Sequence, residues 1–348
     1  MSIFEIVNIQ RTSSALIITA LIVTLLIYAQ SIIVPFVFAL LFWFVAKKIR
    51  NFLDRVAFIK KYVPSWIKSV LASFLIFYLI IFIAEIVSLN IENIVNSYQK
   101  YASNVDLISH NINEVFKIDL NEEISNFVIN FDFAYYLKSI VNSISEIIGS
   151  LVMVIFYVVF LFVEESLFQH KMELIVKDKE QFIGYKKIIK KVDKSMSSYL
   201  SLKTLISLMT TTLSYFVLLA AGIDSPLFWA FLIFIFNFIP SVGPILGTVL
   251  PALFSLLQFG EFVPFLIIFF GAGTIAVLVG SFVEPKLMGN TLNISPLVAI
   301  LSLAIWGSIW GITGMLLCVP ITVAMIIIFS QFSSTRSLAI LLSEKGTV

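Results

Sequence analysis

The sequence predicts an all-α polytopic membrane protein with seven to eight transmembrane helices. Hydrophobic residues make up 59% of the 348 residues and charged residues only 13%. Several uncharged apolar runs approach or exceed the ~20 residues that cross a bilayer. In lipid every backbone N–H and C=O must be paired internally, so only helices or a closed barrel are stable. The runs are continuous rather than alternating, which selects helices.

Eight apolar runs are the candidate membrane elements. They cover residues 15–29, 32–46, 69–89, 147–163, 205–221, 226–257, 262–283 and 296–330. The first two are short, and we expect them to tilt or to pack as a hairpin around Pro35. No small-residue cleavage pattern separates them, so the first is interpreted as a retained helix. The sixth and eighth are too long for one straight crossing.

The placement of basic residues predicts the orientation of these runs. Residues 47–68 carry seven basic side chains against one acid, residues 90–146 carry three against eight, and residues 164–203 carry nine against six. By the positive-inside rule the first and third of these segments are cytoplasmic and the second is outside. Both chain termini are then predicted to be cytoplasmic.

This alternation predicts five parts of the chain. They are N-terminal membrane helices (1–89), an extracytoplasmic helical domain (90–146), a membrane helix with a basic cytoplasmic segment (147–204), a C-terminal transport core (205–330) and a cytoplasmic tail (331–348). Apolar residues recur at helical spacing in the extracytoplasmic domain, so we expect its helices to continue the third and fourth spans outward. A hairpin that packs on itself or on neighbouring subunits is the simplest interpretation of it.

Helix-breaking residues are concentrated in the C-terminal half. Eight of the ten prolines and eleven of the fourteen glycines lie between Gly222 and Pro320, with only four charged residues. Backbone groups freed by such breaks must be paired by neighbouring helices or line a water-filled cavity. Discontinuous helices of this kind build substrate and ion sites in secondary transporters.

The first candidate motif is Asn-Phe-Ile-Pro-Ser-Val-Gly-Pro, residues 237–244, in the middle of the sixth run. Its proline removes a backbone donor and its Gly-Pro pair favours a turn, so the run is predicted to split into two half-helices, as a bent span or a re-entrant hairpin. Half-helix ends carry partial charge and bind polar solutes. A structural proline kink is the alternative. The candidate pathway residues are Asn237, Pro240, Ser241, Gly243 and Pro244.

The second motif is Glu-Pro-Lys-Leu-Met-Gly-Asn, residues 284–290, at the end of the seventh run. It holds the only close pair of opposite charges in the breaker-rich region. Charges at such depth usually mark a pathway or a pairing role. An interfacial loop with solvated charges is the alternative. The candidate residues are Glu284, Pro285, Lys286, Gly289 and Asn290.

The third motif is the glycine-rich centre of the eighth run. Its glycines at three- and four-residue spacing favour close helix packing. The functional alternative is a flexible break that faces the break in the sixth run. The candidate residues are Trp306, Trp310, Gly311, Gly314 and Pro320.

A polar stretch precedes the fifth run. Lys203 is interpreted as a residue that snorkels to the interface. As the alternative, it lines a solute access route with Tyr199 and Thr204. A single cysteine, Cys318, excludes a disulfide framework.

Signatures of enzymes are missing from the sequence. It contains no His-Glu-x-x-His, no Gly-x-Ser-x-Gly and no phosphate-binding loop, so neither an enzyme nor an ATP-driven pump is predicted. We expect no cofactor, no metal site and no nucleic-acid partner. The expected partners are a small polar solute, the lipid bilayer, and a proton or sodium ion as coupling ion.

These motifs, in this order, resemble the autoinducer-2 exporter family, also described as the PerM-like permeases. The resemblance runs from about Pro35 to Leu342 and is strongest over residues 198–320. Residues 237–244 look like the family's Asn/Asp-Phe/Tyr-Ile-Pro-x-x-Gly segment, residues 284–289 like its Glu-Pro-Lys/Arg-x-Met/Leu-Gly segment, and residues 306–320 like its last glycine-rich span. Residues 199–204 and 337–342 are similar to the branch that includes the quorum-signal exporter.

The resemblance implies seven or eight spans in a bacterial inner membrane and a homo-oligomer. It also implies export of autoinducer-2 in some members and exchange of sodium or lithium for protons in others. We expect a secondary exporter of a small polar solute that works by alternating access. The two helix breaks would face each other near mid-membrane, with Glu284 and Lys286 as a charged gate or coupling pair. A sodium/proton antiporter and a membrane scaffold that recruits partners through its outer domain are the alternatives.

Overall fold

The computed structural model describes residues 9–55, 57–102, 104, 139, 142, 149–175, 179–289 and 293–346. The described residues form helices and no strand, as the sequence predicts. The helices are α1 (Ile9–Tyr28), α2 (Gln30–Leu53), α3 (Ala57–Tyr62), α4 (Ser65–Ala102), α5 (Leu151–Ile175), α6 (Lys179–Ala220), α7 (Pro226–Phe236), α8 (Val242–Phe259), α9 (Phe262–Leu278), α10 (Glu284–Met288), α11 (Pro296–Phe329) and α12 (Arg336–Leu342). Six of the helices in the described ranges are long and apolar enough to cross a membrane.

The first two apolar runs join through Ala29. The backbone amide of Ala29 donates to the Leu25 carbonyl, and the amide of Ile33 donates to the Ala29 carbonyl. Helical hydrogen bonding therefore continues from α1 into α2. Pro35 lies inside α2 and makes no turn. The expected hairpin around Pro35 is wrong, because helical hydrogen bonding continues through Ala29 and the chain does not reverse at Pro35.

The two basic segments lie on the same face of the molecule. Lys47 in α2 lies 3.1 Å from the carboxylate of Asp193 in α6, and Arg50 in α2 lies 3.0 Å from Glu165 in α5. These ion pairs join residues 47–68 to residues 164–203, the two segments to which the charge bias assigned one side. Helix α2 packs against α4, α5 and α6 at the centre of this arrangement.

Helix α4 continues well beyond a single span. Its 38 residues measure about 57 Å at 1.5 Å per residue, against a hydrocarbon layer of ~30 Å. Helix α4 is therefore long enough to continue past the bilayer, and the expectation that this extension lies on the outer face stays a prediction. The rest of the predicted outer domain, including residues 105–138, lies outside the described residues.

The sixth apolar run folds into an antiparallel helical hairpin of α7 and α8. The ring of Trp229 packs 5.0 Å from that of Phe254. Nearer the tip, a Cβ on Gly247 would lie 3.5 Å from the Cα of Ile233. The two helices therefore run in opposite directions. The predicted division into half-helices is confirmed, and its form is a hairpin rather than a bent helix.

Hydrogen bonds close the base of this hairpin. The side chain of Gln258 donates to the carbonyl of Gly222 at 3.2 Å and accepts from the amide of Asp224 at 2.7 Å. Asn104, beyond the end of α4, donates to the carbonyls of Leu257 and Gln258 at 2.9 and 2.8 Å. The base is therefore tied to the segment that follows the end of α4.

The eighth run also reverses direction. Trp310 and Gly311 have non-helical backbone angles inside α11, and Gly311 has a φ of 60°. A Cβ on Gly314 would lie 1.8 Å from the carbonyl oxygen of Trp306, although eight residues of straight helix measure about 12 Å. Residues 296–309 and 312–329 are therefore the two limbs of a second hairpin. The predicted break in the eighth run is confirmed.

Both hairpins share one hydrophobic core with α2 and α6. It contains Trp229 and Phe254 of the first hairpin, Leu303 and Val319 of the second, and Phe44 of α2. The breaker-rich half is thus packed around α6, which carries the polar residues described next.

Candidate transport site

A buried stripe of polar side chains runs along α6. It consists of Lys203, Ser207, Thr210 and Ser214, of which the last three are at most 2% exposed. Their spacing of four, three and four residues places them on one face of the helix. The stripe extends about 16 Å along the axis, roughly half the thickness of the hydrocarbon layer. We call these four residues the α6 stripe.

The tip of the first hairpin meets the α6 stripe at a small cavity of about 10 Å³. Thr210 and Ser214 line it from α6, and Asn237 and Thr248 line it from the hairpin. Ala272 and Ala276 of α9 close the remaining side. Four helices therefore surround a space of about one water molecule, and most of its polar groups are hydroxyls and amides without formal charge.

Two buried polar atoms, one at this tip and one in the α6 stripe about one turn before Thr210, lack a hydrogen-bond partner among the described residues. They are the amide nitrogen Nδ2 of Asn237 and the hydroxyl of Ser207. By contrast, the hydroxyls of Thr210 and Thr248 donate to the carbonyls of Ile206 and Pro244, each four residues earlier. A buried polar group without a partner costs free energy, so each one needs a reason. A polar solute that accepts from Asn237 and Ser207 would supply the missing bonds.

Gly243 allows the close approach at the hairpin tip. A Cβ at this position would lie 1.8 Å from the carbonyl oxygen of Phe236. Ser241, just before α8, has a φ of 61°, in the left-handed region that most residues avoid. Pro240 contributes no amide to the turn. The glycine and proline of the motif thus permit a tight reversal that brings Asn237 against α6.

Lys203, at one end of the α6 stripe, forms an ion pair with Glu284. The Lys203 ammonium donates to Oε1 of Glu284, 81 residues later in the chain. Lys203 is 8% exposed, so the interpretation that it snorkels to the interface is wrong; a carboxylate inside the protein compensates its charge instead. Lys286, the predicted partner of Glu284, is exposed and forms no ion pair within the described ranges.

A π-helical segment, Val279–Val283, sets the position of Glu284. The amide of Glu284 donates to the carbonyl of Val279, five residues earlier. Such π-bulges rotate the following residues about the helix axis and are frequent at functional sites. Pro285 follows directly, at the start of α10. The bulge therefore turns Glu284 toward α6 after a regular α9.

The sequence profile of the AI-2E family transporter matches residues 16–334. The chain belongs to this family. A putative transport protein of Haemophilus influenzae is 25% identical over 97% of both chains. A putative transport protein of Borreliella burgdorferi is 35% identical over 62% of this chain and 60% of its own length. The AI-2 transport protein TqsA of Escherichia coli is 32% identical over 60% of this chain and 59% of its own length.

This AI-2E family chain is therefore a multi-pass membrane protein of a transporter family. The aligned regions span about three fifths of the Borreliella and Escherichia relatives, whereas the Haemophilus relative aligns over nearly its full length.

The break in α11, at Trp310 and Gly311, contacts α1 rather than the cavity beside Asn237. The indole Nε1 of Trp310 donates to the carbonyl of Leu26 in α1 at 2.9 Å, and its ring packs 5.1 Å from that of Trp306. No residue of α11 is among those that line the cavity at Asn237. The prediction that the two breaks face each other across the site stays a prediction.

The other predicted site residues lie outside the α6 stripe, some of them buried and some at the surface. Tyr199 is buried one turn before Lys203, whereas Thr204 is exposed and off the stripe. Pro320 is buried in the second hairpin. Gly289 is exposed with a φ of 48°, and Asn290 lies outside the described residues.

Sequence reasoning missed most of the α6 stripe. Ser207, Thr210, Ser214 and Thr248 were not among the candidates, because single hydroxyls are common in membrane helices. The signal was present as hydroxyls at four-, three- and four-residue spacing after Lys203 in an otherwise apolar run. That periodicity marks one polar face of a helix.

Proposed function

We propose that this AI-2E family chain exports a small polar solute of the autoinducer-2 type by alternating access. The observation that supports it best is the meeting of the α6 stripe with the tip of the first hairpin. Asn237 at the tip and Ser207 in the stripe, about one turn before Thr210, present buried polar groups without a hydrogen-bond partner among the described residues. The AI-2 transport protein TqsA, 32% identical over its aligned region, supports the class of solute.

The geometry describes a closed site in this proposal. A cavity of about 10 Å³ has room for about one water molecule, so the hairpin must move before a larger solute reaches Asn237. Gly222 and Gly260 flank the hairpin and both have a positive φ, 71° and 68°. These two glycines are the proposed hinges, since hinge motions are absorbed by a few residues at the ends of elements.

The comparison of two neighbouring threonines tests the proposal. Thr210 is buried in the stripe and Thr212 is exposed on the opposite side of α6, and each hydroxyl donates to the carbonyl four residues earlier. Thr210→Val is expected to lower export about three- to tenfold, the effect of one lost hydrogen bond. Thr212→Val makes the same chemical change away from the site and is expected to preserve export. The measurement is release of autoinducer-2 from loaded proteoliposomes; equal effects of the two variants would contradict the proposed pathway.

Exchange of sodium or lithium for protons is the second candidate function. The pairing of Lys203 with Glu284, whose side chain is 28% exposed, favours it, because intramembrane carboxylates often couple ion movement. In liposomes with a preset pH gradient, an antiporter dissipates the gradient when sodium or lithium is added. An autoinducer-2 exporter without such coupling leaves it unchanged.

The proposal places the protein in a bacterial inner membrane as a homo-oligomer, as the family resemblance implies, with cytoplasmic termini, as the charge bias predicts. The scaffold alternative depends on the outer helical domain, most of which lies outside the described residues. Deletion of residues 95–143 distinguishes a scaffold from a transporter, because a scaffold would lose its function and a transporter would keep its solute flux.

A further inference from the structure

A cleft of about 1160 Å³ lies between α4 and α5, with the C-terminal end of α2 at one end of it. Its walls include Phe74, Tyr78 and Ile81 of α4 and Val159 and Val163 of α5. All five side chains are exposed in the chain. Four of them lie within the apolar stretches of their helices, and Val163 is the last apolar residue before Glu164. An occupant of this part of the cleft must be apolar and elongated, which describes an acyl chain of a membrane lipid.

The other end of the cleft is polar. Arg50 donates to Glu165 at 3.0 Å and to the hydroxyl of Ser69 at 3.0 Å, and the ammonium of Lys68 donates to Asp54. The carboxylates of Glu165 and Asp54 are therefore each paired with a basic side chain at this end of the cleft. An anion at this end would meet no uncompensated negative charge among the described residues.

The segment beside this polar end carries excess positive charge. Helix α3 lies between Asp54 and Ser65, which both line the cleft. Four basic residues in and next to this segment are exposed and form no ion pair with any described residue: Lys48, Arg55, Lys60 and Lys61. Trp66, at the same end, is 68% exposed, as is typical of residues at the membrane interface. Basic pockets between membrane helices bind anionic lipid headgroups.

We propose that the cleft binds one anionic phospholipid, with an acyl chain between α4 and α5 and its phosphate at the basic segment 48–61. Apolar walls at membrane depth and an uncompensated basic rim at one end together match an anionic amphiphile and no soluble metabolite. The bound lipid would bridge α4 and α5, which otherwise pack mainly through α2.

Lipid titration of the full chain tests the headgroup part of this proposal. The chain in detergent micelles is titrated with phosphatidylglycerol or with phosphatidylcholine, and bound lipid is counted by native mass spectrometry. One phosphatidylglycerol per chain is expected to bind more tightly than phosphatidylcholine. The double variant Lys60→Gln/Lys61→Gln is expected to weaken phosphatidylglycerol binding about 30-fold, from the usual contribution of two basic side chains near a membrane surface.

A matched control separates this site from general attraction to basic surfaces. Lys186 and Lys187 are two adjacent exposed lysines of α6, away from the cleft. Lys186→Gln/Lys187→Gln removes the same charge and is expected to leave phosphatidylglycerol affinity unchanged. Equal losses in the two double variants would overturn the proposal, and so would equal affinity for the two lipids.

A blocking substitution tests the acyl part. Ser73 lines the cleft, and its hydroxyl has no hydrogen-bond partner among the described residues. Ser73→Phe is expected to reduce the binding of both lipids at least tenfold, whereas Ser308→Phe, at an exposed position of α11, is expected to leave it unchanged. Unaltered lipid binding with a changed number of subunits per particle would show that a second copy covers the cleft, and the proposal would be wrong. If Ser73→Phe does not fold, the lysine variants decide the outcome, because their side chains are exposed.

Discussion

Individual polar residues define the candidate site more than any charged cluster does. Asn237 and the three hydroxyls of the α6 stripe place uncharged donors at lipid depth, and the described residues contain no group of three or more metal-type ligands. The ion pair of Lys203 with Glu284 lies at one end of the stripe. Seven residues separate Lys203 from Thr210, which is about 10 Å of helix. A solute that reaches the hairpin tip from that side passes the ion pair first.

Glu284→Gln tests the role of this ion pair. Removing the carboxylate leaves the buried ammonium of Lys203 without its partner, which costs roughly 3 kcal/mol of stability, the low end for buried pairs because Glu284 is partly exposed. We expect a lower unfolding temperature in detergent and reduced export. The charge swap Lys203→Glu/Glu284→Lys should recover part of both losses.

An exposed ion pair provides the control for that measurement. Glu164 and Lys171 lie 2.7 Å apart with about half of each side chain exposed, so Glu164→Gln should change stability by no more than ~1 kcal/mol. Unchanged export in Glu284→Gln would remove Glu284 from the mechanism.

At the residue scale, the sequence showed where the helices break but not which charged side chains form an ion pair. Asn237, Gly243 and Trp310 were predicted because proline and glycine mark where a helix stops. The pairing of Glu284 with Lys203 was not, because local sequence shows only the neighbour two residues away, Lys286. A contact across 81 residues depends on how α6 and α9 pack and on the rotation that the π-helical segment introduces.

At the scale of elements, two helical hairpins replace two apparent long spans. The sequence predicted both breaks, because runs of more than 30 apolar residues with central proline or glycine are too long for one crossing. It left open whether each run bends or reverses. That choice depends on close packing between limbs, such as Gly247 against Ile233 and Gly314 against Trp306.

A disulfide tests the reversal in α11. The side chains of Ser302 and Cys318 interact across the two limbs of the second hairpin, and Cys318 is the chain's only cysteine. Ser302→Cys is expected to form an intramolecular disulfide with Cys318 under mild oxidation, since bridged Cα atoms must lie within ~7 Å. In one continuous helix these residues would be about 24 Å apart. Intact mass after oxidation, with and without reductant, measures the bond.

The matched control for the disulfide is Ser308→Cys. Ser308 is exposed near the hairpin tip, two residues before Trp310, and should not reach Cys318. A Ser302→Cys protein that keeps two free thiols after oxidation would contradict the second hairpin.

At the scale of the whole molecule, the two halves have different physical roles. The first half contains one proline within a helix, α2, and its basic face is joined by ion pairs among α2, α5 and α6. The second half contains the hairpins, the cavity and the stripe. The charge bias predicted that residues 47–68 and 164–203 share a face because lysine and arginine placement reports membrane side directly. It could not show which carboxylates pair with which cations, since those distances depend on helix packing.

Asp193→Asn tests whether the ion pairs of the first half are structural rather than part of transport. Lys47 lies 3.1 Å from Asp193 and 3.6 Å from Glu165, so the variant removes one of two anionic partners and leaves the lysine compensated. The expected cost is about 1 kcal/mol of stability, as for a partly exposed pair. Export per folded molecule should stay at the level of the unmodified chain, in contrast to Glu284→Gln. Unfolding temperature and flux, both normalised to folded protein, distinguish the two carboxylates. An Asp193→Asn protein of normal stability without export would instead place the α2–α6 connection in the transport cycle, since the same α6 continues from Asp193 into the stripe.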